Sequence, residues 1–159
     1  MPSRSEIIAA ARSCLGFPFA HTGRGPGGID CVGLIIAVGR IAGVGLHWPE
    51  MPYQRFPPED YVRAVLETYL VPLKGSPEPG DVALLRWRRT ANHLAIVADG
   101  DKPYSLIHSY YVPGRVVEHR ADRHWHDRIV ALYGFRGVAS DQAELDPLSR
   151  ARVPLAGER

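Results

Sequence analysis

At 159 residues, with 45% hydrophobic and 23% charged side chains, the sequence suits one globular domain with a proper core. A formal charge of +2 is too small to argue for nucleic acid, and two cysteines exclude a disulfide framework. The longest apolar run, Val32 to Val38, is far too short to span a membrane.

Ser3 and Glu6 have capping-box spacing, and Ile7, Ala10, Ala11 and Cys14 follow on one helical face. Cys14 therefore belongs to the buried side of a first helix, where packing is the expected role. Leu15-Gly16-Phe17-Pro18 ends that helix. A glycine-rich loop from Phe19 leads to Asp30 and Cys31, and a second helix is predicted from Cys31 to Ile41. Val32, Leu34, Ile35, Val38, Ile41 and Ala42 make it apolar on most sides, so it should be central and buried. Gly43 and Gly45 close it. The stretch Leu46 to Pro58 holds four prolines and is expected to be a covering loop, packed down by His47 and Trp48.

Pro58-Glu59-Asp60 opens a third helix, with acids in the first turn and a core stripe of Val62, Val65, Leu66, Tyr69 and Leu70. Pro72 ends it. Short strands are predicted over Asp81–Trp87, His93–Ala98, Tyr104–Ser109, Arg115–Glu118 and Ile129–Phe135, with a hairpin at Asp99-Gly100 and a turn at Pro113-Gly114. Helices first and an antiparallel meander afterwards predict an α+β fold. Residues 1–138 form the expected domain. From Ala139 to Arg159 periodicity is lost, and that segment is expected to be a tail, extended or docked on a partner.

Cys31 is the residue around which chemistry gathers. It should sit in the first turn of a helix capped by Asp30, where unpaired N–H groups and the helix dipole favour an anion. A thiol there is expected to lose its proton more easily, and the thiolate is the nucleophile. The glycines leave room for a substrate backbone. A buried structural cysteine fits the same stretch equally well. A nucleophile also needs a base and a group to orient it. His93 opens an apolar strand, so it must be hydrogen-bonded or costly. His108 lies on the next strand, folded back toward His93. His119, His124 and His126, with Asp122 and Asp127, form a His-rich patch that is weak as a metal site and is expected to be a solvated loop. Arg86, Arg88 and Arg89 around Trp87 should mark an exposed turn.

Four motifs occur in order: Leu15–Phe19 through Asp30-Cys31-Val32-Gly33-Leu34, then Pro79-Gly80-Asp81-Val82, then Asn92–Val97, then Leu106-Ile107-His108-Ser109. Together they resemble the NlpC/P60 cysteine peptidases over about residues 5 to 137. His21-Thr22-Gly23-Arg24 looks like the phage-tail branch of that family, which includes peptidases of tailed phages and gene transfer agents. The resemblance implies a papain-like fold and cleavage of peptidoglycan stem peptides, typically between D-glutamate and diaminopimelate. It implies Cys31 as nucleophile, His93 as base and His108 as the orienting residue, with the Cys31 N–H helping to bind the oxyanion and no metal or organic cofactor. Many members carry Tyr where this chain has Phe19, a loss worth roughly 10²-fold if the oxyanion depends on that donor. His21 is a possible substitute. Arg24, in the loop before the nucleophile, is a candidate clamp for a substrate carboxylate. The N-terminus, Met-Pro-Ser-Arg-Ser-Glu, lacks the apolar stretch of a secretory signal. The expectation is a chain made in the cytosol and carried to the target wall in a phage-like tail, with baseplate or hub proteins as partners and neither nucleic acid nor membrane among them.

Overall fold

The computed structural model describes residues 1–46, 48–49 and 52–139. His47 and all of the expected tail beyond Ala139 lie outside the described residues.

Three helices precede the main sheet. Helix α1 (Arg4–Ser13) begins with the complete Ser3–Glu6 capping box, and Cys14 is its C-cap, fully buried, with its thiol 3.6 Å from the Ala10 carbonyl. A two-stranded hairpin, β1 (Arg24–Gly25) and β2 (Gly28–Ile29), leads into α2 (Cys31–Ile41), whose bounds match the sequence pattern. The inner positions Leu34, Ile35 and Val38 are sealed, but Ile41 is 56% exposed, so the last turn of α2 leaves the core. Helix α3 (Glu59–Tyr69) buries Val62 and Leu66, and Trp48 stacks on Tyr69 at 5.0 Å, which pins the covering loop to it.

The main sheet contains β3 (Val71–Leu73), β4 (Val82–Trp87), β5 (Thr90–Ala98), β6 (Ser105–Tyr110), β7 (Arg115–Arg120) and β8 (Ile129–Gly134) in the order β3-β8-β4-β5-β6-β7. Every pairing is antiparallel. The architecture is α+β, as expected, but only β4 to β7 form a meander. After the short helix α4 (Arg123–His126), β8 crosses back to pair with β4. Strand β3 was unexpected because Pro72 reads as a stop; at a sheet edge a residue without an N–H is tolerated.

Alternation along the central strands serves two layers. Leu84, Leu94, Ile96 and Ile107 face the helices, while Ala83, Leu85, Ala95, Val97 and Leu106 pack on the other face with Trp125 of α4. Salt bridges tie helix to sheet: Arg4 to Asp81 at 2.8 Å and Arg12 to Glu118 at 2.9 Å. Ala139 donates to the Pro2 carbonyl at 2.8 Å, bringing the end of the described chain back to its start. Among the described residues no helix is long and apolar enough to cross a membrane.

Candidate active site

Asp30 builds the start of α2. One carboxylate oxygen accepts the Gly33 N–H at 2.7 Å, which is the N-cap bond. The other accepts the Thr22 N–H at 2.7 Å, with Thr22 held at φ 62°, a conformation few non-glycine residues adopt. Arg24 donates Nη1 to Asp30 at 3.1 Å, and the Tyr53 hydroxyl also donates to Asp30. The loop and the helix touch at backbone level: a Cβ on Gly33 would lie 2.0 Å from the Gly23 carbonyl oxygen. Cys31 is thus the first helical residue, half-buried, with the loop strapped across its helix end.

The sheet opens opposite this point. Strands β5 and β6 pair from Ile96–Ile107 to Ala98–Ser105 and then separate toward Asn92 and Tyr110. Cys31, His93, Ser109 and Tyr110 line one cleft in that opening. Ser109 donates its hydroxyl to the Ile29 carbonyl at 2.7 Å, so β6 and the loop before Cys31 are joined directly. His93 Nε2 and His108 Nδ1 are 2.7 Å apart, and His108 is fully buried. Because Nε2 is used in that bond, Nδ1 is the ring nitrogen of His93 left for chemistry in the cleft. The rings are boxed by aromatics: Tyr110 stacks on His108 at 4.5 Å, and Trp87 lies against His93 at 5.8 Å.

Burial decides the charge states. Burial first, then the Asp30 carboxylate, pushes the Cys31 thiol up to about 12, against the N–H groups of Leu94, Val32 and Cys31 itself. This corrects the expected priming of the thiol: the peptide dipoles are present but lose to desolvation and to the adjacent anion. Burial, helped by the positive charge of Arg128, lowers His93 to about 4. His108 lies well below its ordinary value, through burial and then the charges of His93 and His119. The Cys31 thiol and the His93 imidazole that line this cleft both rest neutral, a state that would suit an imidazole acting as a general base.

No protein-family model matches the sequence, and no curated protein is similar to it. Solved structures are. The NlpC/p60 domain of peptidoglycan hydrolase SagA superposes with a TM-score of 0.59 at 20% identity, over 84% of this chain and 99% of that one. The fold is that of the NlpC/P60 domains. An NlpC/P60 family protein from Bacillus cereus gives a TM-score of 0.60 at 17% identity. A Staphylococcus aureus protein described as similar to a lipoprotein of the NLP/P60 family gives 0.58 at 19%. This chain covers 84% and 83% of itself in those two matches but spans only 40% and 41% of their lengths.

Within this NlpC/P60 fold the remaining candidate residues separate. Phe19 and His21 line the same cleft as Cys31, and His21 meets the Tyr53 ring edge-on at 5.5 Å. Asp30 lines it too, as cap and anion. Arg24 lines a neighbouring apolar cavity with Trp48 and Leu66 instead. Its Nη1 is committed to Asp30, to the Gly23 carbonyl at 3.0 Å and to the Tyr53 oxygen at 2.9 Å. Through Nη1 Arg24 ties the loop before Cys31 together, while its Nε is buried without a hydrogen-bond partner. The exposed Arg55 is the arginine that lines the cleft. The His-rich patch is not a solvated loop: it contains α4, and its histidines part company. His119 bonds His108 at 2.7 Å, His126 meets the Tyr104 hydroxyl at 2.6 Å, and His124 meets Arg128 at 3.1 Å. Among the described residues no three His, Cys, Asp or Glu side chains converge as a metal set. Tyr53 went unnoticed in the sequence, and His119 was read there only as part of the His-rich patch around Trp125; no spacing links any of the three to Cys31.

Proposed function

We propose that this protein is a cysteine endopeptidase that hydrolyses the stem peptides of peptidoglycan. The observation that carries the proposal is His93 lining one cleft with a helix-N-terminal Cys31 while its Nε2 lies 2.7 Å from the buried His108 behind it. The shared fold with a domain of a peptidoglycan hydrolase supplies the substrate class. In the proposed reaction, His93 Nδ1 takes the Cys31 proton as sulfur attacks an amide carbonyl. The Cys31 N–H, free of any intrahelical partner, binds the developing oxyanion. The protonated His93 then gives its proton to the leaving amine, and water hydrolyses the thioester. The scissile bond proposed is D-glutamyl–diaminopimelate. The setting proposed is a phage-like tail or gene transfer agent, in which the enzyme, bound to baseplate or hub proteins, acts on the wall of the target cell.

Phe19 favours a second proposal, a tail component with the same fold and little catalysis, because the cleft has no hydroxyl at that position. The Tyr53 hydroxyl does not replace it, being engaged by Asp30 and Arg24. One experiment separates the two. Purified protein should release peptides from sacculi, and mass spectrometry should find cut stem peptides. Cys31→Ala should abolish the release. An inactive wild-type protein supports the structural component, intact stem peptides freed from muramic acid support an amidase, and full activity in Cys31→Ala removes Cys31 from the chemistry.

A further inference from the structure

The hydrogen-bonded chain does not stop at His108. His93 Nε2 meets His108 Nδ1 at 2.7 Å, His108 Nε2 meets His119 Nε2 at 2.7 Å, and His119 Nδ1 meets the Arg120 carbonyl oxygen at 2.8 Å. A carbonyl oxygen can only accept, so the proton at that end must sit on His119 Nδ1. A neutral His119 then offers Nε2 as an acceptor, and His108 must donate from its own Nε2. His108 Nδ1 is left as an acceptor, so His93 must donate from Nε2. Each ring has one proton and one lone pair, and the backbone carbonyl dictates the order through all three. The last ring in the series is left with Nδ1 unprotonated.

We propose that His119 is a positioning residue: with the Arg120 carbonyl it fixes the tautomers of His108 and His93 so that His93 Nδ1 is the free base. The assignment rests on His93 being the base that serves Cys31. Reversing the chain would put the proton on His93 Nδ1 and leave nothing to accept the thiol proton. The fold protects the order. Trp125 of α4 lies over His119 at 4.7 Å and edge-on to His108 at 5.0 Å, and the Asp122 cap at 3.1 Å from its N–H holds Trp125 there. His108 is fully buried, so water does not compete for its two nitrogens. His119, at the half-buried end, is the member whose proton position the backbone itself sets.

The test compares His119→Leu with His119→Gln in the full chain. A Gln amide can donate to Arg120 and accept from His108, whereas Leu can do neither. With soluble stem peptide from sacculi as substrate, His119→Leu should lower kcat by about 100-fold, the lower end of what a positioned general base supplies. KM should hold within about twofold, since a positioning residue acts on the chemical step. His119→Gln should recover most of the loss. Nitrogen-15 NMR of histidine-labelled protein should show His93 protonated on Nε2 in the wild type and in His119→Gln, and a mixed or reversed tautomer in His119→Leu.

Wild-type kcat in His119→Leu overturns the proposal, as does equal impairment of two folded variants, which marks a merely structural role. Should His119→Leu not fold, the wild-type spectrum still decides: a proton on His93 Nδ1 overturns it. Full activity in His93→Ala would sink the role of His93 as base instead, and leaves the tautomer order in the wild type to be read on its own.

Discussion

The carboxylate of Asp30 acts in two opposed ways on the residue beside it. It anchors Cys31 in place by accepting from Gly33, Thr22, Arg24 and Tyr53, and its charge raises the thiol it positions. Asp30→Asn separates the two effects, because Asn caps a helix about as well as Asp. The thiol pKa should fall once the adjacent anion is gone, so iodoacetamide should alkylate Cys31 faster near neutral pH, with the rate–pH profile displaced to lower pH. Cys14, fully buried, should not react in the folded chain. The same substitution leaves the Arg24 guanidinium, 15% exposed, without its charged partner, and should cost about 1–3 kcal/mol in denaturant unfolding. An unmoved alkylation profile would show that the Asp30 charge does not reach the sulfur.

Helix α2 and the loop before it act as one element because their backbones meet. Gly33→Ala adds a methyl 2.0 Å from the Gly23 carbonyl oxygen, and a backbone atom cannot swing aside. Ala is otherwise the better helix former, so an unconstrained site would gain about 1 kcal/mol. The expected result is the reverse: a loss of about 1–3 kcal/mol from overpacking, a lower melting temperature and a larger loss of activity, because the loop that aligns Cys31 must move. A raised melting temperature would mean the contact is slack. What could be read in the chain beforehand follows the same division between local and distant. The Ser3–Glu6 box, the Asp30 cap and the limits of α2 are settled within a few residues, and the sequence displays them. His93 and His108 come together through one chain reversal, although the connecting loop covers 99–104 rather than the tight Asp99-Gly100 turn expected. The return of β8 to β4, the pairing of Arg24 with Asp30, and the approach of His119 depend on partners that spacing does not reveal. Desolvation of Cys31 is of that kind too: it opposes the backbone N–H groups at the helix start, and local spacing does not display it.

For the molecule as a whole, the buried histidines tie stability to pH, and the proposed chemistry would share the same limit. An unfolded imidazole titrates near 6.5, whereas folded His93 is lowered to about 4 and His108 lies well below its ordinary value. Between those limits the unfolded chain binds more protons than the folded one, so stability is complete above about 6.5 and drains away as the pH falls toward the folded values. His93 alone should account for about 3 kcal/mol across that window. Glu118 adds a second loss at lower pH. Its pKa is depressed chiefly by its hydrogen bond to Arg12, so it stabilises the fold above the ordinary carboxylate value of 4.5 and ceases to do so below it. Urea unfolding at pH 7.5, 6, 5 and 4 should therefore show two stages, a steep decline that begins near 6.5 and a further one below 4.5. A His93→Gln/His108→Gln double variant, neutral at every pH, should lose the first stage and keep the second. If the variant retains the slope between 6.5 and 4.5, the acid sensitivity comes from other groups and the two imidazoles are not held neutral by burial. If the slope disappears, the neutral state that leaves His93 able to accept a proton is maintained by folding energy, and an enzyme acting through it keeps both its base and its structure only above mildly acidic pH.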